Sequence, residues 1–264
     1  IRTDLVTIAL DNVNVYQTSY MAAWTGPGQN QDETGVSLGL GPVATSGAAA
    51  VAAAATSTVS ITNFYAENYH HAYIYAAGSI NLDTVNLGVD QYFDVLPYGK
   101  NPPSGAGLGT SGANSMFTDV TSPSMYVKRS FPMMDQMTIN GVLLFDEMTG
   151  ASDMVSIENS NINGNLVMQG CGVDIEMTAS TIEGLDSNCF NVGTSSITMF
   201  ESSIDHSAQS SAFDVSQTKA YLQEVAFTSS TLGGANHMVY ADLGATVYLI
   251  ETTFEAAGSG VVQD

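Results

Sequence analysis

The sequence predicts an all-β fold, a right-handed parallel β-helix (β-solenoid) in which strands wind into a stack of coils. The first observation is an imperfect repeat of five segments from residue 155 onward, each with two apolar anchors separated by small and polar residues. The first anchors are Ile157, Ile175, Ile197, Leu222 and Leu249. The second anchors are Ile162, Ile182, Ile204, Phe227 and Phe254. The steps between first anchors are 18, 22, 25 and 27 residues, which is typical of one solenoid unit.

The second observation is the alternation inside each segment, as at Val155 and Ile157 or Val173 and Ile175. A period of two places successive side chains on opposite sides of a strand. Glycines such as Gly164 stand at turn-like places between the segments. Helical repeats are the competing explanation, but few windows have apolar residues at i, i+3 and i+4, and the units are rich in strand-forming Ile, Val and Thr.

The first half carries the same pattern with more interruption. Strands are predicted within residues 5–15, 59–69, 79–89 and 136–146. Two long loops separate them, at about residues 17–58 and 97–124, and both are rich in glycine. Loops of this length are usually functional or flexible. The alanine run GAAAVAAAATS in the first loop is predicted as a short helix, with an Ala-rich loop as the alternative. The whole chain, 1–264, is predicted as one domain.

This coil pattern resembles the right-handed parallel β-helix (pectin-lyase-like) superfamily, which includes pectate lyases, polygalacturonases, adhesins and tail spikes. The resemblance covers residues 59–264 well and residues 1–58 less clearly. It lies in the pattern rather than in a diagnostic motif, so it implies a fold more than an activity.

The charge balance restricts the partners. The chain has 5 Lys+Arg against 26 Asp+Glu, a formal net charge of −21. Nucleic acid binding depends on cationic side chains that neutralise phosphates, so it is excluded as a function. No apolar run is long enough to insert in a membrane. Few charged residues among many Ser, Thr, Asn and Gly are typical of secreted or cell-surface proteins. Cations, glycans, other extracellular proteins and further copies of this chain remain as partners.

Catalytic motifs of the resembled enzymes are missing. Polygalacturonase-like hydrolases carry a D-D pair, G-H-G and R-x-K, none of which occurs in this sequence. Pectate-lyase-like enzymes place a basic residue beside bound Ca²⁺, and Lys128 with Arg129 is the best basic pair available. No catalytic residue is assigned on this basis. If two carboxylates did hydrolyse a glycoside, Glu183 and Asp205 are the pair that the spacing favours.

Acidic residues recur next to the anchors. The repeat predicts Glu158 over Glu176, and Glu183 over Asp205, on adjacent coils about 4.8 Å apart. The same alignment puts Asn163 and Glu255 in the column of Glu183 and pairs Glu224 with Glu251. Stacked carboxylates suit Ca²⁺, although no cofactor is required by the fold. The alternative is that these side chains splay into water, where salt screens their repulsion.

Aromatic residues are concentrated in the N-terminal third. The predicted ligand-binding residues are Trp24, Tyr65, Tyr69, Tyr73 and Tyr75. Aromatic faces stack on sugar rings and anchor protein interfaces. The alternative is that strand alternation turns part of this cluster into the core.

The two cysteines are predicted on consecutive coils. Cys171 follows Ile157 by 14 residues, and Cys189 follows Ile175 by the same number. Equal spacing indicates one position on adjacent coils, at a separation that a disulfide tolerates. A buried stack of two thiols is the alternative.

Three functional classes follow from these observations. The first is a non-enzymatic structural or adhesive extracellular module, such as a surface-appendage subunit. A strand pattern at both ends of the sequence suggests either a piece of a longer protein or a head-to-tail filament. The second class is a carbohydrate-binding module, and the third is a divergent polysaccharide lyase or glycoside hydrolase.

Overall fold

The chain forms a stack of parallel β-coils. The computed structural model describes residues 2–3, 7–16, 37–42, 58–75, 80–96, 115–122, 125–128, 132–146, 149–169, 172–188, 195–206, 212–229 and 237–256. The strand pairs within these ranges are parallel, and the ranges contain no helix. Consequently, no helix within them could cross a membrane. The predicted all-β parallel β-helix is confirmed.

The described residues form 22 strands. The first eleven are β1 (Arg2–Thr3), β2 (Thr7–Tyr16), β3 (Ser37–Pro42), β4 (Thr58–Tyr75), β5 (Ile80–Leu96), β6 (Met116–Ser122), β7 (Met125–Lys128), β8 (Met133–Asp135), β9 (Thr138–Ile139), β10 (Leu143–Asp146) and β11 (Thr149–Glu158). The others are β12 (Asn161–Gln169), β13 (Gly172–Thr178), β14 (Thr181–Asn188), β15 (Ser195–Phe200), β16 (Ser203–His206), β17 (Phe213–Ser216), β18 (Thr218–Gln223), β19 (Ala226–Ser229), β20 (Val239–Asp242), β21 (Thr246–Ile250) and β22 (Thr253–Ala256).

Each coil of the second half has three faces. Face A is the stack of β8, β11, β13, β15, β18 and β21. Face B is formed by β9, the first residues of β12 and β14, and then β16, β19 and β22. Face C is formed by β7, β10, the later residues of β12 and β14, and then β17 and β20. In the first half, β2, β4 and β5 run through the corner between faces A and B without a break.

A column of left-handed residues makes the corner between faces A and B. Its members are Asn12, Asn63, Thr84, Asp119, Gln136, Asn159, Ala179, Glu201, Glu224 and Glu251, with φ between 48° and 57°. The left-handed turn keeps the corner amide directed along the stack: Ala179 N donates to Phe200 O at 3.1 Å, and Glu224 N donates to Ile250 O at 2.9 Å. Asn adopts this conformation readily, whereas other residues lose about 1–2 kcal/mol in it. The corner is therefore held by bonds between coils more than by local preference.

Serine hydroxyls fill the buried position after three of these corners. Ser160, Ser180 and Ser202 are almost fully buried. Ser180 Oγ accepts a hydrogen bond from Ser160 N at 3.0 Å and donates one to Thr178 O at 2.8 Å. Ser202 Oγ does the same one coil further on, with Ser180 N and Phe200 O. These hydroxyls satisfy backbone groups that the turn takes out of the strand pairing, as buried polar groups require.

We expect Ser180→Ala to lower the free energy of unfolding by about 1–3 kcal/mol, because it leaves the buried Ser160 amide without its acceptor. Urea unfolding followed by circular dichroism measures the change. Ser156→Ala is the control, since among the described residues its hydroxyl donates to the exposed Glu158 carboxylate, and its effect should stay within about 0.5 kcal/mol. Equal losses in the two variants would contradict the role assigned to the buried hydroxyls.

The core runs along the axis of the stack. Inward residues alternate with outward ones, so that β18 follows a strict buried–exposed pattern. The largest fully buried side chains include Phe117, Phe145, Phe213 and Phe227. Phe227 packs edge-on against Phe213 across the interior, with ring centroids 6.1 Å apart. Each coil therefore contributes its apolar side chains to one continuous core, and no coil could bury them alone.

The second-anchor prediction is confirmed and the first-anchor prediction is partly wrong. Ile162, Ile182, Ile204, Phe227 and Phe254 form one column of register partners. Among the first anchors, however, Ile157 pairs with Met177, while Ile175 pairs with Val155. The alignment thus slipped by two residues between these coils, and again between Ile197 and Leu222, which pair with Ala220 and Met199. A slip of two keeps the same side chains inside, so the alternation could not reveal it.

The two long loops were also predicted too wide. Strand β3 lies inside the range 17–58 and pairs with the later part of β4. Strand β6 lies inside 97–124 and pairs with β5. Glycines in SLGLGP and the glycine-rich stretch before Met116 hid the alternation of these short strands. The alanine run lies outside the described residues, and its helix stays a prediction.

Candidate functional site

The predicted stack of Glu158 on Glu176 is wrong. Glu158 lies between Asp135 and Thr178 in its column, and Glu176 pairs with Ser156 and Thr198. The two glutamates are therefore two positions apart along face A. Ser156 Oγ donates to Glu158 Oε1 at 3.2 Å. The cause is the same two-residue slip that displaced the first anchors.

Glu183 and Asp205 lie on adjacent coils as predicted, whereas the predicted place of Asn163 in their column falls within the register shift between Ile162 and Asn165. Glu183 and Asp205 directly follow the register pair Ile182 and Ile204 on face B. Thr228 comes next in the column and donates from Oγ1 to Asp205 Oδ1 at 2.9 Å, and Glu255 pairs with Thr228. A threonine therefore separates the two carboxylates of Asp205 and Glu255.

The corner glutamates Glu224 and Glu251 are neighbours on consecutive coils, as predicted, because they follow the register pair Gln223 and Ile250. Among the residues that the structure describes, no group of three or more His, Cys, Asp or Glu side chains is arranged to hold a metal ion. A Ca²⁺ site that involves Glu158, Glu176, Glu183 or Asp205 stays a prediction.

The aromatic cluster is only partly described. Tyr65 lies on face B, half-buried, between Asn14 and Asn86 in its column. Tyr73 and Tyr75 stand in β4 opposite Asp94 and Leu96. Tyr69 lies in the same strand at an irregularity of the pairing. The side chains of Tyr69, Tyr73 and Tyr75, and all of Trp24, lie outside the described part of the chain, so their ligand-binding role stays a prediction.

Cys171 and Cys189 also lie outside the described residues. Their prediction rested on equal spacing from Ile157 and Ile175, which the register places in different columns. The nearest described pair is Gln169 with Asn188, two residues before one cysteine and one residue before the other. The disulfide stays a prediction, now without the argument from equal spacing.

Sequence reasoning missed an acidic group on face C. Asp186 and Asp214 are register partners on adjacent coils. Asp242 follows on the next coil, two residues beyond the partner of Asp214. Partial burial raises the pKa of Asp186 above its usual range. Burial, and then the charges of Asp186 and Asp242, raise the pKa of Asp214. Intervening loops of different length conceal this group, and no sequence signal marks it.

A raised carboxyl pKa makes the folded state bind protons more tightly than the unfolded chain. The free energy of unfolding therefore falls as pH rises from 3.8 through the raised pKa of Asp214. We expect Asp214→Asn to raise Tm at pH 7 by about 1–3 °C, because stacked like charges cost about 0.2–1 kcal/mol. The gain should shrink as the medium is brought below the pKa of the unfolded carboxyl. Thermal melts at pH 7 and at a pH below 3.8 measure the difference in Tm.

Glu176→Gln is the matched control, since it removes one exposed carboxylate whose register partners are uncharged. It should leave Tm almost unchanged at both pH values. A destabilised Asp214→Asn variant at neutral pH would contradict the repulsion on face C.

The last described coil exposes residues whose register partners on the preceding coil are buried. Leu249 is 42% exposed, whereas Leu222, its partner in the same column, is 0% exposed. Phe254 stacks on Phe227 with ring centroids 4.9 Å apart, yet it is only partly buried. On the outer side of face A, Tyr248 stacks on Tyr221 at 4.8 Å, and both rings are exposed. Tyr248, Leu249 and Ile250 thus place three exposed large hydrophobic side chains on this edge.

No protein-family model, curated protein or solved structure matches this chain. The pectin-lyase-like resemblance therefore stays a prediction from the coil pattern. The described surfaces combine exposed carboxylates, small hydroxyl and amide columns, and one apolar edge.

Proposed function

We propose that this protein is a non-enzymatic structural or adhesive β-solenoid of the extracellular space, and that it associates end to end. The observation that carries the proposal is the last described coil, where Leu249 and Phe254 continue core columns, yet Leu249 is 42% exposed and Phe254 is only partly buried. Exposed strand edges with apolar side chains favour pairing with another strand. An end-to-end contact is heterologous, so its repetition produces a filament.

Composition supports this function. The charge of −21 keeps the sides of the solenoid apart from one another, which favours association through the ends over lateral aggregation. Extracellular location agrees with the low content of charged residues and the many small polar ones. Self-association and contacts with other extracellular proteins are the partners proposed, with neither nucleic acid nor membrane insertion.

Sedimentation velocity on the chain of 264 residues, combined with negative-stain imaging, tests the proposal. We expect the sedimentation coefficient to rise with concentration and thin linear particles to appear. Leu249→Asp should shift the association to higher concentration, because it puts a charge on the apolar edge. Glu158→Asp is the control, since it keeps the charge of an exposed residue on a middle coil. A monodisperse wild-type monomer at high concentration would refute the proposal.

A carbohydrate-binding module is the second candidate, favoured by the position of Tyr65 between Asn14 and Asn86 on face B. A tyrosine ring with flanking amides supplies the stacking and hydrogen bonding that a sugar needs. Binding to a glycan array that is lost in Tyr65→Ala would support this candidate. An unchanged binding pattern in the variant would exclude this part of face B.

A further inference from the structure

The methionines of the described residues fall into two groups. One group lies in the core with 0–1% of each side chain's residue surface exposed: Met125, Met134, Met137, Met168, Met177, Met199 and Met238. The other group is 49–51% exposed and consists of Met116, Met133 and Met154. A thioether is soft and polarisable, and its reactivity depends on whether a reagent can reach the sulfur. The protein therefore carries the same chemical group in two opposite environments.

The three exposed methionines form one cluster on face A, which we call the methionine patch. Met116 and Met133 are register partners on adjacent coils. The next partner in their column is Ser156, and Met154 precedes it by two residues on β11. Residues two apart on a strand point to the same side, and coils lie about 4.8 Å apart. Met154 is therefore a diagonal neighbour of Met133, with the two Cα atoms about 8 Å apart.

Carboxylates flank the methionine patch. Asp135 lies two residues after Met133 on β8, and Asp174 is the register partner of Met154. Lys219, a basic residue of face A, lies three coils beyond Met154 in the same column. That separation is about 14 Å, which exceeds the screening length of about 8 Å at physiological ionic strength. The patch therefore lies in a negative field, which repels anions and does not act on neutral molecules.

A neutral hydroperoxide oxidises an accessible thioether without help from another group. The sulfur lone pair attacks the terminal oxygen of the peroxide, the O–O bond breaks, and an S–O bond forms. The proton of the transferred oxygen passes to the departing oxygen, which leaves as an alcohol, or as water when the oxidant is hydrogen peroxide. The sulfur is oxidised to a sulfoxide, which is polar and can be reduced back to the thioether.

The core methionines are shielded from this reaction while the protein is folded. Their sulfurs lie inside the stack, so an oxidant reaches them only when coils separate. A sulfoxide in the core would also bury a polar oxygen among apolar side chains, which is unfavourable. Oxidation of a core methionine is therefore a sign of unfolding, whereas oxidation of the methionine patch is compatible with the intact stack.

We propose that the methionine patch is the site at which this protein reacts with neutral hydroperoxides, forming methionine sulfoxide on face A and leaving the core intact. This inference goes beyond the structural function proposed above and does not depend on end-to-end association. The reaction turns an apolar part of face A into a polar one, because the sulfoxide oxygen accepts hydrogen bonds from water. A surface of this kind consumes oxidant without loss of the fold.

Graded treatment of the whole chain with hydrogen peroxide at pH 7, followed by mass spectrometry that assigns each sulfoxide to a residue, tests the site. We expect Met116, Met133 and Met154 to react within about threefold of the rate of N-acetylmethionine, since half of each is exposed. The core methionines should react at least about tenfold more slowly until urea unfolds the chain. Tm should stay unchanged when only the three surface sulfoxides have formed.

Met133→Leu and Met134→Leu are a matched pair of variants. The two residues are neighbours on β8, but Met133 points outward and Met134 is 1% exposed. Both substitutions keep the volume of the side chain nearly constant, so the fold is retained. Met133→Leu should remove one fast-reacting residue, whereas Met134→Leu should leave all three in place.

Peroxymonosulfate, an anionic peroxide, tests the selection by charge. Each oxidant's rate at the methionine patch is divided by its rate with N-acetylmethionine. At low salt this ratio should be about twofold or more lower for peroxymonosulfate than for hydrogen peroxide, and the two ratios should converge at high salt. Asp174→Asn should raise the peroxymonosulfate ratio at Met154 and leave the hydrogen peroxide ratio unchanged.

Three results would overturn the inference. The first is a core methionine that reacts as fast as Met116 in the folded chain, or a methionine patch that reacts as slowly as the core. The second is a fall in Tm caused by the surface sulfoxides alone, which would mean that the patch supports the fold. The third is an equal ratio for both peroxides at low salt, which would refute the selection of neutral oxidants.

Discussion

Gly164→Ala should be among the most destabilising single substitutions in this protein. Gly164 is buried between faces B and C, where the pairing of β12 with β14 shifts register. A Cβ atom added there would overlap Gly141 O and lie 2.6 Å from its carbonyl carbon, both backbone atoms of the preceding coil. Because a backbone cannot rotate away, the coils must separate locally. We expect a loss of about 3 kcal/mol or more, seen as a fall in Tm of about 6–12 °C.

Gly244→Ala is the informative comparison for this prediction. Gly244 has φ +83°, but no atom lies within 4 Å of the added Cβ. It should therefore lose only the cost of a left-handed conformation, about 1–2 kcal/mol. If Gly164→Ala were the milder of the two, the close approach of the coils at Gly141 would be wrong.

Leu222→Ala and Leu249→Ala should differ strongly although they remove the same atoms from the same column. Leu222 is fully buried, so its truncation should cost about 2–5 kcal/mol through lost burial and a residual cavity. Leu249 is 42% exposed, so we expect less than half of that loss at low protein concentration. Urea unfolding of both variants at one dilute concentration gives the comparison.

Concentration extends this comparison to the proposed assembly. If the last coil is covered by a second copy, Leu249→Ala should become more damaging as the wild type associates, because binding stabilises the folded state. Leu222→Ala should show much less dependence on concentration. Equal losses in the two variants under dilute conditions would mean that the last coil is as well covered as its neighbour.

The sequence predicted the class of fold and the second-anchor column, and the reason is local. Ile162, Ile182 and Ile204 each follow the left-handed corner by three residues, so the short motif between corner and anchor fixes their alignment. The first anchors, by contrast, lie in strands where buried and exposed residues simply alternate. A slip of two residues there leaves the inside and outside of the strand unchanged, and Ile175 was aligned with the wrong partner.

Each site prediction was right or wrong according to the anchor from which its alignment was taken. Glu183 and Asp205 were placed correctly because they follow the second anchors directly. Glu158 and Glu176 were misplaced because their alignment depended on the first anchors. The corner serines were not predicted either, since a serine in a polar repeat has no distinctive mark until the buried backbone around it is known.

By itself, the sequence determined that this chain winds into parallel coils with an apolar interior and an acidic exterior, because alternation and composition are properties of each strand. Only the tertiary structure decided which residues meet across coils. Asp186, Asp214 and Asp242 come together on face C although loops of unequal length separate them. Register is set by the packing of whole coils, and no spacing along the chain encodes it.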